Sequence, residues 1–345
     1  MNNAHLVFVV IVGACFGAFL EKGRVFEPLI IREQMKWTNF LMLKMFLSAG
    51  MCSLISLTII GLVAKDKLEA TRSLSKLPST LRTVVGCALL GSGMALSGAC
   101  PGTILAQIGS GVTSSLFALT GGIFAAILFT KLRDQILSPL KSDLGLKPAF
   151  LDQQLGLPFY MISLPLAFLF MSVVLVLEFV VPWYTEYPVD QFDYFPSLFA
   201  TAWPPYFSGM CIGFLQIPLI FVIQKPLGCS TGFEKIGCFF HSKISKPNSS
   251  YIQQNTKISF DNIYQILFLV GATLGALISS VASGSYRAAP SISIVQAFIG
   301  GFLIIMGGRI ASGCTSGHGI SGFSKLSVGS FIAVPVMFFF GTLTA

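Results

Sequence analysis

The chain is interrupted again and again by apolar runs too long for anything but membrane helices. Residues 39–64 and 158–181 are two examples. A spanning helix needs about 20 predominantly apolar residues and a barrel strand about 10. These runs also lack the two-residue alternation of a barrel strand. Backbone groups in lipid must find partners within the chain, which leaves helices. Nine such segments can be drawn, at 4–20, 39–64, 82–100, 112–132, 158–181, 206–223, 262–282, 292–312 and 327–344. The expected fold is therefore an all-α polytopic membrane protein of about nine transmembrane helices. The first run has neither a basic leader nor a small-residue exit, so it reads as a span and not as a cleaved signal.

Composition agrees. Hydrophobic residues make up 54% of the 345 and charged residues only 10%. The net charge of +8 would suggest nucleic acid as a partner in a soluble protein. Here the Lys and Arg sit mostly in loops, so lipid, not nucleic acid, is the expected partner. The loops after spans 2, 4 and 6 carry Lys65, Lys67, Arg72, Lys76 and Arg82; Lys131, Arg133, Lys141 and Lys147; and Lys225, Lys235, Lys243, Lys246 and Lys257. The loop after span 5 has none. That pattern puts the first three loops inside, although Lys22, Arg24, Arg32 and Lys36 in 21–38 run against it. The cell membrane, inner or plasma, is the expected location.

A shift of 214 residues brings VVGCALLGSGMALSGACPGT onto AFIGGFLIIMGGRIASGCTS, with Cys100 on Cys314, Gly86 on Gly300, Leu89 on Leu303 and Gly93 on Gly307. The same shift brings span 2 near span 7, span 3 onto span 8 and span 4 onto span 9. Five steps separate spans 3 and 8, an odd number, so the two copies would cross in opposite senses. Inverted repeats of this kind are a common transporter plan. The expected organisation is one membrane domain with a first repeat over 1–135, a connection and span 5 over 136–200, and a second repeat over 201–345.

Each repeat has a glycine-rich helix that meets a cysteine and then a helix breaker: Ser97-Gly-Ala-Cys100-Pro-Gly-Thr103 and Ser312-Gly-Cys314-Thr315-Ser316-Gly-His318-Gly-Ile-Ser-Gly322. Pro and Gly interrupt a helix. Such backbone is tolerated at membrane depth only where protein buries it or a cavity receives it. A third motif, Lys225-Pro-Leu-Gly-Cys229-Ser-Thr-Gly232, follows span 6, at the place that Gly23-Arg24-Val-Phe-Glu-Pro28 takes after span 1. These are candidate re-entrant segments. Candidate pathway residues are Cys100, Cys314, Cys229, Ser97, Thr103, Thr315, Ser316, His318 and Arg309. Arg309 lies inside a span, where a charge is expensive, and either serves a substrate or is a paired structural charge. Glycines at these spacings also suit close helix packing, and a cysteine in an apolar run also acts as a small hydrophobe. Gly317-His-Gly-Ile-Ser-Gly322 imitates a dinucleotide fingerprint, but it lacks the strand before it and the acid after it. Cys314 and His318 have a zinc-like spacing without further ligands, so neither metal nor cofactor is expected. The absence of a close cysteine pair ranks a thiol–disulfide oxidoreductase below transport, and an enzyme is not expected.

The SGACPGT and GCTSGHGISG motifs, together with GRVFEPLI and KPLGCSTGF, resemble the YeeE/YedE sulfur-transport family over nearly the whole chain. The resemblance implies an hourglass of inverted repeats, with short helices meeting at the waist, that imports thiosulfate or a related sulfur anion. It further implies cysteines that pass the ion on by weak thiol hydrogen bonds, with Cys100 and Cys314 in the family's motif positions. A small cytosolic sulfur-carrier protein is the implied partner. The family's cysteine in the N-terminal motif has no counterpart in GRVFEPLI. Cys229, on the symmetry-related side, either takes its place or is unrelated. A channel for another small solute is the alternative reading.

Overall fold

The computed structural model describes residues 3–73, 79–140, 149–187, 197–244, 250–256 and 259–345. The helices are α1 (Asn3–Lys22), α2 (Pro28–Met35), α3 (Leu41–Val63), α4 (Lys65–Ser73), α5 (Thr80–Ser97), α6 (Thr103–Gly109), α7 (Ser114–Leu137), α8 (Leu151–Leu155), α9 (Phe159–Val180), α10 (Trp183–Glu186), α11 (Pro205–Phe214), α12 (Gln216–Ile223), α13 (Ser230–Ile244), α14 (Ser250–Thr256), α15 (Phe260–Ala282) and α16 (Ile294–Ile310). A π-helical turn over Ser316–Ile320, α17 (Ser321–Ser324) and α18 (Val328–Thr344) complete the chain. Among the described residues, seven helices are long and apolar enough to cross a membrane: Ala4–Lys22, Leu41–Val63, Thr80–Ser97, Ser114–Leu137, Phe159–Val180, Pro205–Ile223 and Asn262–Ala282. The last two expected spans are the shorter apolar helices Ile294–Ile310 and Val328–Thr344. At 17 residues, α16 covers about 26 Å, a little under the roughly 30 Å of a hydrocarbon core. The chain is a multi-pass integral membrane protein of helices.

Sequence explains several details. The sixth expected span is two helices, because Pro218 has no N–H to give the Phe214 carbonyl one turn back and its ring crowds that oxygen. Part of the polar stretch 241–261 is helical, as the end of α13 and as α14. The centre of the 133–157 connection lies outside the described residues; its end forms α8, which Arg72 holds through an ion pair to Asp152. On α9, Phe168, Leu175, Val176 and Phe179 are exposed, and lipid is the solvent that suits them.

The helices pair in matching ways. α1 packs on α15 and α11 on α3; α7 packs on α16 and α18 on α5. Exchanging each expected span for its shifted counterpart maps each of these pairs onto the other. α5 and α16 pack on each other, and their glycines set the seam. A Cβ on Gly86 would lie 2.6 Å from the Gly307 carbonyl oxygen, and one on Gly93 would lie 2.8 Å from that of Gly300. The shift pairs Gly86 with Gly300, whereas the contact pairs it with Gly307. The two helices are therefore antiparallel and touch at the same positions in each.

Buried charges are held in pairs. Lys44, near the start of α3, is fully buried between Glu178 (3.0 Å) and Glu186 (2.9 Å). Lys22 and Arg24 meet Glu21 and Glu27 in a buried cluster that also binds Ser279, Ser285 and the 200–201 backbone.

Candidate functional site

Two helix breaks meet in the interior. α5 ends at Gly98, in a left-handed conformation at φ +56°. A Cβ there would lie 2.2 Å from the Pro28 carbonyl oxygen, so only glycine fits. α16 ends just before Ser312, 214 residues on, also left-handed at φ +58°. Each break leads to a cysteine that caps the next helical segment. Cys100 Sγ accepts from the Thr103 N–H at 3.4 Å, and Cys314 Sγ accepts from the Gly317 N–H at 3.4 Å. Residues 103 and 317 are again 214 apart. A side chain accepting from the third residue on is the N-cap arrangement, here made by sulfur. Because the sulfur is the acceptor, each thiol keeps its own S–H to give elsewhere.

The surroundings of the breaks also match. A stretch of backbone outside the helices reaches each one. Gln107 donates to the Phe26 carbonyl at 2.8 Å, and Ser321, its shifted counterpart, donates to the Leu227 carbonyl at 2.6 Å. Gln107 also donates to the Gly98 carbonyl at the break, while Gln216 accepts from the Leu227 N–H and donates to Ser321. The freed backbone groups at the breaks thus find side-chain partners.

The Leu227–Cys229 turn brings the third thiol in. Cys229 is buried beside Cys100 and Cys314, within reach of the Ser316 hydroxyl. Its sulfur lies 3.3 Å from where a Cβ on Gly102 would stand. Ser316 Oγ is 3.2 Å from Cys314 Sγ, and Thr103 Oγ1 accepts from the Cys100 N–H at 2.6 Å. Cys100, Cys229, Cys314, Thr103 and Ser316 therefore form one cluster. Thr315 stands at its edge, with its hydroxyl on the sulfurs of Met94 and Met337.

Three other expected residues lie off the cluster. Ser97 donates to the Gly93 carbonyl of its own helix and packs on Gly300, in the α5–α16 seam. Arg309 pairs with Glu234 of α13, whose carboxylate also accepts from Tyr251. Its observed partner is thus a carboxylate that ties α16 to the helix behind Cys229. His318 is turned away, its ring against Gly313 and its Nε2 3.3 Å from the Ala311 carbonyl.

A cavity opens on either side of the cluster. One is small, about 60 Å³, and its wall includes Cys100, Thr103, Thr315 and Ser316 among apolar side chains such as Phe16, Met45 and Met94. The other, about 300 Å³, has a mixed polar and apolar wall that includes Gly228, Gly317 and His318, with Lys225 and Lys325. Lys325, Gln107 and Gln216 escape a motif search. Their signal was a polar side chain in an otherwise apolar run, the same one that flagged Arg309. All eight cysteines are free thiols. No group of three or more His, Cys, Asp or Glu is placed to hold a metal among the described residues.

Two proteins of Xylella fastidiosa, both described as probable transporters, are similar over part of the chain. The one from strain 9a5c is 36% identical over 84 residues, 23% of this chain and 60% of the relative. The one from strain Temecula1 is 34% identical over the same length and shares. The chain thus spans about 60% of the length of these relatives. A family model described as sulphur transport matches residues 22–344, both broken helices and the Cys229 turn included, and the chain belongs to that family.

Proposed function

We propose that the chain carries thiosulfate or a related sulfur anion into the cell through the waist formed by Cys100, Cys229 and Cys314. The observation that carries this reading is the gathering of three thiols from two helix breaks and one re-entrant turn, between two cavities. Family membership supports the sulfur substrate. A thiol is a weak donor, and its polarisable sulfur suits a sulfur-bearing anion. Several weak contacts in series bind an ion without trapping it, as conduction requires. Cys229 takes the place of the thiol missing from the N-terminal motif, reaching the same waist from the other repeat. Inverted repeats over 1–135 and 201–345, joined through 136–200, are the organisation this reading uses. The matched helix pairs, the two left-handed breaks and the two sulfur caps support it. A cytosolic sulfur carrier is the partner it implies.

Uptake of radiolabelled thiosulfate into cells lacking their own sulfate and thiosulfate importers tests the proposal. Wild type should take up label. Cys100→Ala, Cys314→Ala and Cys229→Ala should each lose at least about tenfold at equal membrane expression, as expected when one contact in a series is removed. Normal uptake by all three variants would move the function to a channel for another solute. Loss confined to Cys100 and Cys314 would leave Cys229 a packing residue.

A further inference from the structure

The 300 Å³ cavity on the far side of the waist has a chemistry that the thiols do not explain. Lys225 and Lys325 line it, and no Asp or Glu does among the described residues. Lys325 is buried, at 7% exposure. Lys225 is held at the wall by the Tyr264 ring, its Nζ 5.0 Å from the centroid. Gln265, also in the wall, bonds Tyr264 through its amide nitrogen while its buried amide oxygen has no partner. Turning that amide over would give the Tyr264 hydroxyl an acceptor. The space is several times the roughly 30 Å³ that a water molecule takes up in the liquid.

We propose that this cavity is an anion vestibule, a binding site for a small divalent oxyanion such as sulfate or thiosulfate, in which Lys225 and Lys325 supply the charge. It deepens the transport reading, on which it rests only for the direction of flow. The vestibule concentrates the anion beside His318 and Gly317, one step from the Cys314 thiol. Selection for sulfur belongs to the thiols, and selection for charge to the lysines. Sulfate should therefore fill the vestibule as thiosulfate does.

Thermal unfolding of the full chain in detergent, at constant ionic strength, with thiosulfate, sulfate or chloride added, tests this. Both oxyanions should raise the melting temperature saturably and chloride should not. Lys225→Gln, at the rim, should weaken the half-saturating concentration by about tenfold, the scale of losing one charge-assisted contact. Lys325→Arg, which keeps the charge, should bind, and Lys325→Gln should not. Cys100→Ser and Cys314→Ser should keep the shift while losing uptake. A wild type with no saturable shift would overturn the proposal. So would a response to thiosulfate alone, or a shift that survives the lysine variants and vanishes with the thiols. A persistent shift in a wild type that takes up no label would sink the transport reading and leave the vestibule standing.

Discussion

At the scale of single residues, the candidate pathway side chains divide into those gathered at the thiol cluster and those that hold the helices around it. Arg309 belongs with the holders, since its guanidinium meets Glu234 and Glu234 also meets Tyr251. Removing one member of a buried pair strands the other charge. Glu234→Gln should therefore lower stability by about 3–5 kcal/mol, read as an earlier thermal transition in detergent. The double variant Arg309→Met with Glu234→Gln should regain part of the loss. Equal destabilisation in single and double variants would place Arg309's energy elsewhere. The sequence marked Arg309 as costly in a span but could not name its partner, because Glu234 is far along the chain and in a different helix. Gly102 is the opposite case. It carries no chemistry, yet its missing side chain leaves room for the Cys229 sulfur and the Phe16 ring. Gly102→Val should fold and traffic normally while cutting uptake severely, because the added methyls occupy the waist. Normal uptake in that variant would place the pathway away from Gly102.

At the scale of elements, the α5–α16 seam organises the molecule. Small residues let membrane helices approach backbone to backbone, where dispersion contacts do the work that hydrophobicity cannot do in lipid. At Gly93 a Cβ would stand 2.7 Å from the Ile304 nitrogen and 2.8 Å from the Gly300 oxygen. These are backbone atoms and cannot yield. Gly93→Leu should cost more than the ~1–3 kcal/mol of an ordinary overpacked core and abolish the monodisperse peak in size exclusion. Gly228→Ala, with nothing within 4 Å, should leave that peak unchanged. A monodisperse Gly93→Leu protein would show that the seam can open. Much of this level was legible beforehand. The shift of 214 aligned Gly86 with Gly300 and Gly93 with Gly307, and those residues face each other across the seam. What was not legible is the crossed register, Gly86 on Gly307, because a sequence shift relates copies and says nothing of which residues touch. The split of the sixth span was not foreseeable from Pro218 alone, since Pro165 in α9 and Pro335 in α18 sit in unbroken helices. Nor were the sulfur caps, because cysteine is an uncommon N-cap and only the backbone geometry reveals it.

At the scale of the whole molecule, contacts sort the loops onto two faces, and the faces differ in charge. One face gathers α4, the 149–158 stretch, the 221–227 turn and the 325–328 turn. The bonds that join them are Arg72 to Asp152, Lys67 to the Phe221 carbonyl, and Leu151 and Val328 across the 149–151 and 326–328 backbone. The other face gathers 22–40, 183–187, 197–203 and 285–296, through Lys22 to the Ala200 carbonyl, the Phe40 N–H to Glu186, and Arg32 to Gln296. The first face carries Lys65, Lys67, Arg72, Lys225 and Lys325 and borders the lysine cavity. On the second, two of the four cations that ran against the positive-inside pattern, Lys22 and Arg24, are buried with Glu21 and Glu27 and are not solvated loop charges. The positive-inside rule, applied to the bias that remains, would put the first face in the cytoplasm and with it the proposed vestibule, so that on the transport proposal the anion would arrive through the small apolar cavity and leave through the lysine-lined one. Reporter fusions decide this. A fluorescent protein that matures only in the cytoplasm should glow when fused after Leu140, and alkaline phosphatase, active only outside, should work when fused after Tyr187. The reverse pattern would invert the molecule in the membrane. The lysine vestibule would then face outward and become the site where the anion is captured before it passes the thiols.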